Sequence, residues 1–130
     1  GVTLDDSVAL ARELKVIGVD VIDCSAGGLP GARFDLKPGY MVPFAARIRA
    51  EAGISTQAVG LVLTAMQAEA IIARGEADLV ALGREALVDP HWAARAAVEL
   101  VGEAGWTLWP AQYGWWLERR AQLLRDMKHL

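Results

Sequence analysis

The sequence predicts an α/β fold built on a parallel sheet. Three observations carry that expectation: short β-branched and aliphatic runs alternate with segments of helical periodicity, turn residues close each run, and most connecting links are short. About 20 residues separate the second run from the third, room for little more than one crossover helix between parallel strands. A parallel sheet is expected to be covered on both faces, so its strands read as apolar runs rather than as an alternation.

The elements follow in order. Thr3 and Asp6 form a capping-box pattern with Asp in the place usually held by Glu, and Leu10, Leu14 and Ile17 recur at helical spacing up to Gly18. The first helix is therefore expected over residues 4–17. "VDVIDCS" (19–25) reads as a buried strand despite Asp23. Ala26 to Val42, rich in Gly and Pro, reads as a long loop. Pro43 suits the first turn of a helix reaching Ala52, with Gly53 after it. "TQAVGLVL" (56–63) is the second strand. Thr64 and Gln67 form another capping-box pattern for a helix that Gly75 ends, and "DLVALG" (78–83) is the third strand. A helix from the Asp89-Pro90 cap to Val101, the turn-rich "GEAGWTLWP" and a last helix over 113–127 complete the chain. With no linker or low-complexity segment, it reads as one structural unit. The abrupt start and the small number of strands read as a piece of something longer.

At 130 residues the chain has the length of one ordinary domain. A hydrophobic share of 54% and a net charge of -3 exclude both a disordered acidic tail and a basic nucleic-acid platform. Cys24 is the single cysteine, which rules out an internal disulfide and a multi-cysteine zinc site, and His91 and His129 are far apart in sequence. A reducing, cytoplasmic setting fits. Every apolar run is interrupted before the ~18 residues that a spanning helix needs, and no charged-then-apolar leader opens the chain. The expectation is a soluble protein that engages neither membrane nor nucleic acid.

The candidate functional residues are glycines and one arginine. Gly27, Gly28 and Gly31 follow the first strand, but a dinucleotide fingerprint needs a helix to open directly at the glycines, and here a loop intervenes. Two readings stay open for Ser25 to Gly28: a flexible turn, or backbone amides brought close to a ligand where α/β folds build their sites. Gly60, within the second expected strand, marks either packing or a close approach. Gly83 and Arg84 end the third strand, as a turn with a salt-bridging arginine or as an open amide beside a fork of donors suited to phosphate. All three signals lie at or near the C-terminal ends of successive strands. In a (β/α)8 barrel the loops after the last two strands, with a short extra helix, often bind phosphate, and "REAL" (84–87) has the length of that helix.

"GVDVIDCSAGG", "PGYMVPFAARIR", "AVGLVLTAMQAEAIIARGEADLVALGREALVDPHW" and "WPAQYGWWLERR", in this order and spacing, resemble the C-terminal part of the Old Yellow Enzyme family of FMN-dependent ene-reductases, nearest its NADPH dehydrogenase and xenobiotic reductase branch. The resemblance implies the last three βα units of a (β/α)8 barrel, incomplete as a single chain. It places the family's S-x-G-G turn on Ser25, Gly27 and Gly28, its seventh-strand glycine on Gly60 beside Leu61, and its Gly-Arg pair on Gly83 and Arg84. The last two segments are then expected to hold the FMN phosphate. The family's Q-Y segment falls on Gln112 and Tyr113, and Trp115 stands where relatives place an arginine or tryptophan reaching into a neighbouring subunit's active site. An amphipathic helix covering the barrel accounts for Trp115 and Trp116 equally well. Cys24 reads as a small buried hydrophobe, Asp23 as a hydrogen-bonded structural carboxylate, His91 as a surface or packing residue, and Arg119, Arg120, Arg125 and Lys128 as a solvated helix face.

The implied activity is hydride transfer from NAD(P)H to non-covalent FMN, then to the β-carbon of a small activated alkene. The family's carbonyl-holding and proton-donating residues lie upstream of this chain's motifs, so no catalytic residue is assigned within it. Two function classes follow: the FMN-phosphate part of an ene-reductase barrel, inactive alone, or a noncatalytic oligomeric α/β module with at most residual phosphate affinity. Three strands cannot close a barrel. The open strand edge and wet apolar faces predict a homo-oligomer or a rearranged sheet. A monodisperse monomer by size-exclusion chromatography with light scattering would contradict that expectation.

Overall fold

Thr3 opens the first helix as its cap. Its hydroxyl accepts from the Asp6 amide at 3.2 Å, and the Asp6 carboxylate accepts from the Thr3 amide at 2.9 Å, completing the box expected from the sequence. The structure is a computed structural model and describes residues 2–26, 31, 33 and 35–128. Its elements are α1 (Leu4–Val16), β1 (Val21–Cys24), α2 (Val42–Ala52), β2 (Ser55–Ala58), α3 (Ala65–Ala73), β3 (Leu79–Val80), α4 (Arg84–Val88), α5 (Trp92–Val101), a 3-10 helix (Gly102–Leu108) and α6 (Ala111–Met127).

The three strands form one parallel sheet in sequence order, β1-β2-β3, with Asp23 beside Gln57 and Gln57 beside Leu79. The alternating residues Cys24 and Ala58 are buried in a core shared with Val8 and Ala11 of α1, Ala45 and Ile48 of α2, and Ile71 of α3. All three helices thus serve one face of the sheet. Basic side chains of α1 tie it to the C-terminal end of α2: Arg12 donates to the Glu51 carbonyl at 3.1 and 3.2 Å and Lys15 to the Gly53 carbonyl at 2.5 Å. The opposite face departs from the expected two-sided cover. Val21, Asp23 and Ser55 are exposed there, and Leu79 is 48% exposed. Sequential parallel strands joined by crossovers of one hand place their helices on the same side, which leaves the other side bare.

The strands are shorter than the apolar runs. β1 begins at Val21 rather than Val19, β2 ends at Ala58 rather than Leu63, and β3 keeps two residues of the expected six. β2 stops because Gly60 and Leu61 turn to φ values of 111° and 53°, outside the strand region. Gly60 therefore lies beyond β2, not within it. The final helix starts two residues earlier than expected, at Ala111.

Where the sequence shows no linker, contacts divide the chain into two compact units, Gly1–Glu85 and Ala86–Leu130. The first holds the sheet and α1–α3. In the second, α5 packs on the 3-10 helix, with Ala96 and Gly105 buried. No helix among the described residues is long and apolar enough to cross a membrane.

Candidate functional site

The loops that follow β2 and β3 enclose a cavity of about 310 Å³ lined by Gly60, Leu61, Gly83 and Arg84, together with Tyr40 and Glu85. Four residues singled out from the sequence thus share one cavity, at the C-terminal ends of adjacent parallel strands.

Leu61 is the only non-glycine with positive φ among the described residues. That conformation costs an L residue about 1 kcal/mol or more, so its surroundings must impose it. Gln67, on the first turn of α3, does so. Its side-chain amide donates to the Leu61 carbonyl at 3.0 Å and its side-chain oxygen accepts from the Leu63 amide at 2.9 Å. The Thr64 hydroxyl caps α3 by accepting from the Gln67 amide at 3.2 Å. The expected capping box is therefore half made: Gln67 reaches past Thr64 to brace the loop. From the other side, the Gly39 amide donates to the Gly60 carbonyl at 2.9 Å. A side chain at position 60 would set its Cβ 2.8 Å from Tyr40 Cε1, so the close approach that this glycine permits is made by the Tyr40 ring.

The other wall is more open. Gly83 is exposed, and a Cβ there would meet no atom within 4 Å. Arg84 is exposed and, among the described residues, makes no hydrogen bond or ion pair with protein. An unengaged guanidinium facing a backbone turn can receive a ligand with several oxygen acceptors, and a phosphate group suits its planar fork. Glu85 adds one carboxylate to the same wall.

The remaining candidates lie elsewhere. Ser25 lines a separate cavity of about 370 Å³, with Cys24, Met41 and Phe44. Gly27 and Gly28 lie outside the described residues. Cys24 is buried, and burial first, then the Asp23 charge, push its thiol up to about 11, so it stays protonated and is no nucleophile near neutral pH. Asp23 accepts from Gln57 Nε2 at 3.3 Å. Among the described residues no group of three or more His, Cys, Asp or Glu is placed to hold a metal ion.

Tyr113 and Trp115 lie on α6 in the second unit, as does Gln112. Tyr113 borders an apolar cavity of about 540 Å³ with His91, Trp109 and Trp116. The Trp109 indole nitrogen is buried there without a hydrogen-bond partner among the described residues. Trp115 turns away from that cavity: it meets Trp116 edge-on at 4.5 Å, and the Arg119 guanidinium lies 4.3 Å from its ring centroid. Arg119, expected as a purely solvated charge, thus has an aromatic contact.

Sequence reasoning missed Tyr40 and the bracing role of Gln67. Both act on the turn across 20 or fewer residues of chain without any local signature; the one available signal was Gly60, which announces that something comes close but not what.

No protein-family model matches the chain. Among curated proteins, an NADPH dehydrogenase of Geobacillus thermodenitrificans is 51% identical over 100 residues, covering 77% of this chain and 29% of that enzyme. An NADPH dehydrogenase of a Geobacillus species is 50% identical over the same length and shares. That of Halalkalibacterium halodurans is 46% identical over 100 residues, 77% of this chain and 30% of the relative. The chain spans less than a third of the length of these relatives.

Proposed function

Because the chain belongs to the Old Yellow Enzyme family, as a stretch similar to part of its NADPH dehydrogenases, we propose that it forms the last three βα units of a (β/α)8 barrel and holds the phosphate of FMN. The observation that carries this reading is the cavity joining Gly60, Leu61, Gly83 and Arg84 at the ends of β2 and β3. Sheet topology supports it as well. Sequential parallel strands with helices on one face are one arc of a barrel wall, whereas a doubly wound sheet reverses strand order and covers both faces.

The residues fit the phosphate end of the cofactor. Arg84 offers charge and a planar donor fork, Gly83 leaves its backbone open, and the left-handed turn at Gly60 and Leu61 lines the same cavity. When bound, FMN would supply hydride transfer from NAD(P)H to an activated alkene. This chain's part is to bind and orient; it contributes no proton donor, and we expect it to be inactive without the rest of the barrel. The bare sheet face and open edges favour a homo-oligomer, and the buried, protonated Cys24 suits a reducing cytoplasm.

Arg84→Ala tests the reading. Titrated with FMN and followed by the visible flavin spectrum, the variant should bind about tenfold more weakly than the parent, the worth of one charge-assisted hydrogen bond. Equal affinity would remove Arg84 from the phosphate site. A parent chain that takes up no flavin at micromolar concentration would favour the noncatalytic oligomeric module.

A further inference from the structure

Tyr40 precedes α2, yet it lines the cavity formed by the loops after β2 and β3. It arrives there on a braced segment. The Tyr40 amide donates to the Lys37 carbonyl at 3.0 Å and the Val42 amide to the Gly39 carbonyl at 2.9 Å, while Ala45 and Ile48 of α2 anchor the following helix in the core. Its half-buried ring closes on the bare side of Gly60: a Cβ at position 60 would lie 2.8 Å from Cε1 and 3.1 Å from Cδ1. The Gly39 amide, one residue earlier, holds the Gly60 carbonyl.

We propose that Tyr40 is a positioning residue for phosphate: its ring, backed by α2 and seated against Gly60, holds the Gly60-Leu61 turn in the conformation that faces Arg84 across the cavity. The inference rests on the phosphate reading above. The Gly39 hydrogen bond fixes where the turn's carbonyl points, Gln67 fixes the next one, and the ring blocks the space into which the turn would otherwise relax. Loss of the ring frees the strained Leu61 to return to negative φ, which reshapes the wall that Gly60 and Leu61 give the cavity. The ring, not the phenolic hydroxyl, is what this role requires.

The test uses the full chain as parent, Tyr40→Phe, Tyr40→Ala and Arg84→Ala, each titrated with inorganic phosphate while the Gly60 and Leu61 amide resonances are followed by NMR. Hydrogen exchange of the same amides is measured without phosphate. Tyr40→Phe should match the parent in both. Tyr40→Ala should bind phosphate about tenfold more weakly and exchange faster at Gly60 and Leu61, with core amides of α2 still protected; the affinity loss equals roughly one misplaced charge-assisted hydrogen bond. Parent-like binding by Tyr40→Ala, while Arg84→Ala is weakened, overturns the positioning role and leaves the phosphate reading standing. So does an equal loss in Tyr40→Phe, which would make the hydroxyl the determinant. If Tyr40→Ala does not fold, Tyr40→Leu, which keeps an apolar side chain but no ring, takes its place under the same criterion. A parent that shows no phosphate-dependent shift overturns the phosphate reading and the proposal with it.

Discussion

Gly105→Ala is expected to disrupt the second unit. A methyl group there would lie 2.4 Å from the Val98 backbone nitrogen and 2.5 Å from the Ala97 carbonyl carbon and Val98 Cα. These are backbone atoms of α5, so no side chain can rotate away, and the 3-10 helix must move off α5 as a body. Gly105 is buried at that contact. Overpacking against movable side chains costs about 1–3 kcal/mol, and against fixed backbone the cost should reach about 3 kcal/mol or more. The measurement is direct, because all five tryptophans (Trp92, Trp106, Trp109, Trp115 and Trp116) lie in this unit. Thermal unfolding followed by tryptophan fluorescence should shift sharply downward in Gly105→Ala. Gly83→Ala, whose added methyl meets nothing within 4 Å, is the matched control and should melt like the parent. A parent-like melt for Gly105→Ala would mean that the 3-10 helix does not pack on α5 as described.

Asp78→Ala should destabilise the first unit and alter its response to acid. Asp78 begins the third strand's approach and accepts from Arg49 Nε and Nη2, both at 3.0 Å, while its Oδ2 also accepts from the Thr56 amide at 3.0 Å. Arg49 in turn donates to the Gly75 carbonyl at 3.2 Å. One carboxylate thus links α2, β2 and the turn before β3. Thr56 is fully buried, so removing the acceptor strands a buried amide, at a cost of about 1–3 kcal/mol. Asp78→Asn, which can still accept from Thr56, should lose less. Urea unfolding followed by far-UV circular dichroism, with hydrogen exchange at the Thr56 amide, separates the two.

The pH dependence follows from the direction of the shift. The Arg49 hydrogen bonds, then the Thr56 amide, hold the Asp78 carboxyl below its ordinary 3.8, with the Arg49 charge assisting. A depressed folded value adds stability that is fully present above about pH 4 and is lost as pH falls through the folded value. The Asp6 carboxyl, lowered chiefly by the Thr3 amide, loses its contribution in the same range. The difference between parent and Asp78→Ala should therefore be constant above about pH 4 and shrink below it. A difference that grows on acidification would contradict the assigned hydrogen bonds.

Some of this molecule was determined by local sequence. Thr3 with Asp6 started α1 where expected, the Arg84 to Leu87 phrase became α4, and the three apolar runs became three parallel strands. Capping, periodicity and glycine placement act within a few residues, so they are legible one segment at a time. The strand-end cluster was legible in the same way, because every parallel βα unit presents its C-terminal loop on the same side of the sheet.

What the tertiary structure decided was everything that depends on two distant segments meeting. Strand length was set by where the chain leaves the sheet, so of the apolar run 56–63 only residues 56–58 joined the strand Ser55–Ala58 before the turn at Gly60. The occupant of the space beside Gly60 was Tyr40, and the partner of Leu61 was Gln67. Cavity membership divided the candidates as well, uniting Gly60, Leu61, Gly83 and Arg84 while assigning Ser25 to a different hollow. Periodicity carries no information about which loop crosses which; that is settled by packing between α2, α3 and the sheet. The glycines and the arginine were written in the sequence, and their convergence on one cavity came from the fold.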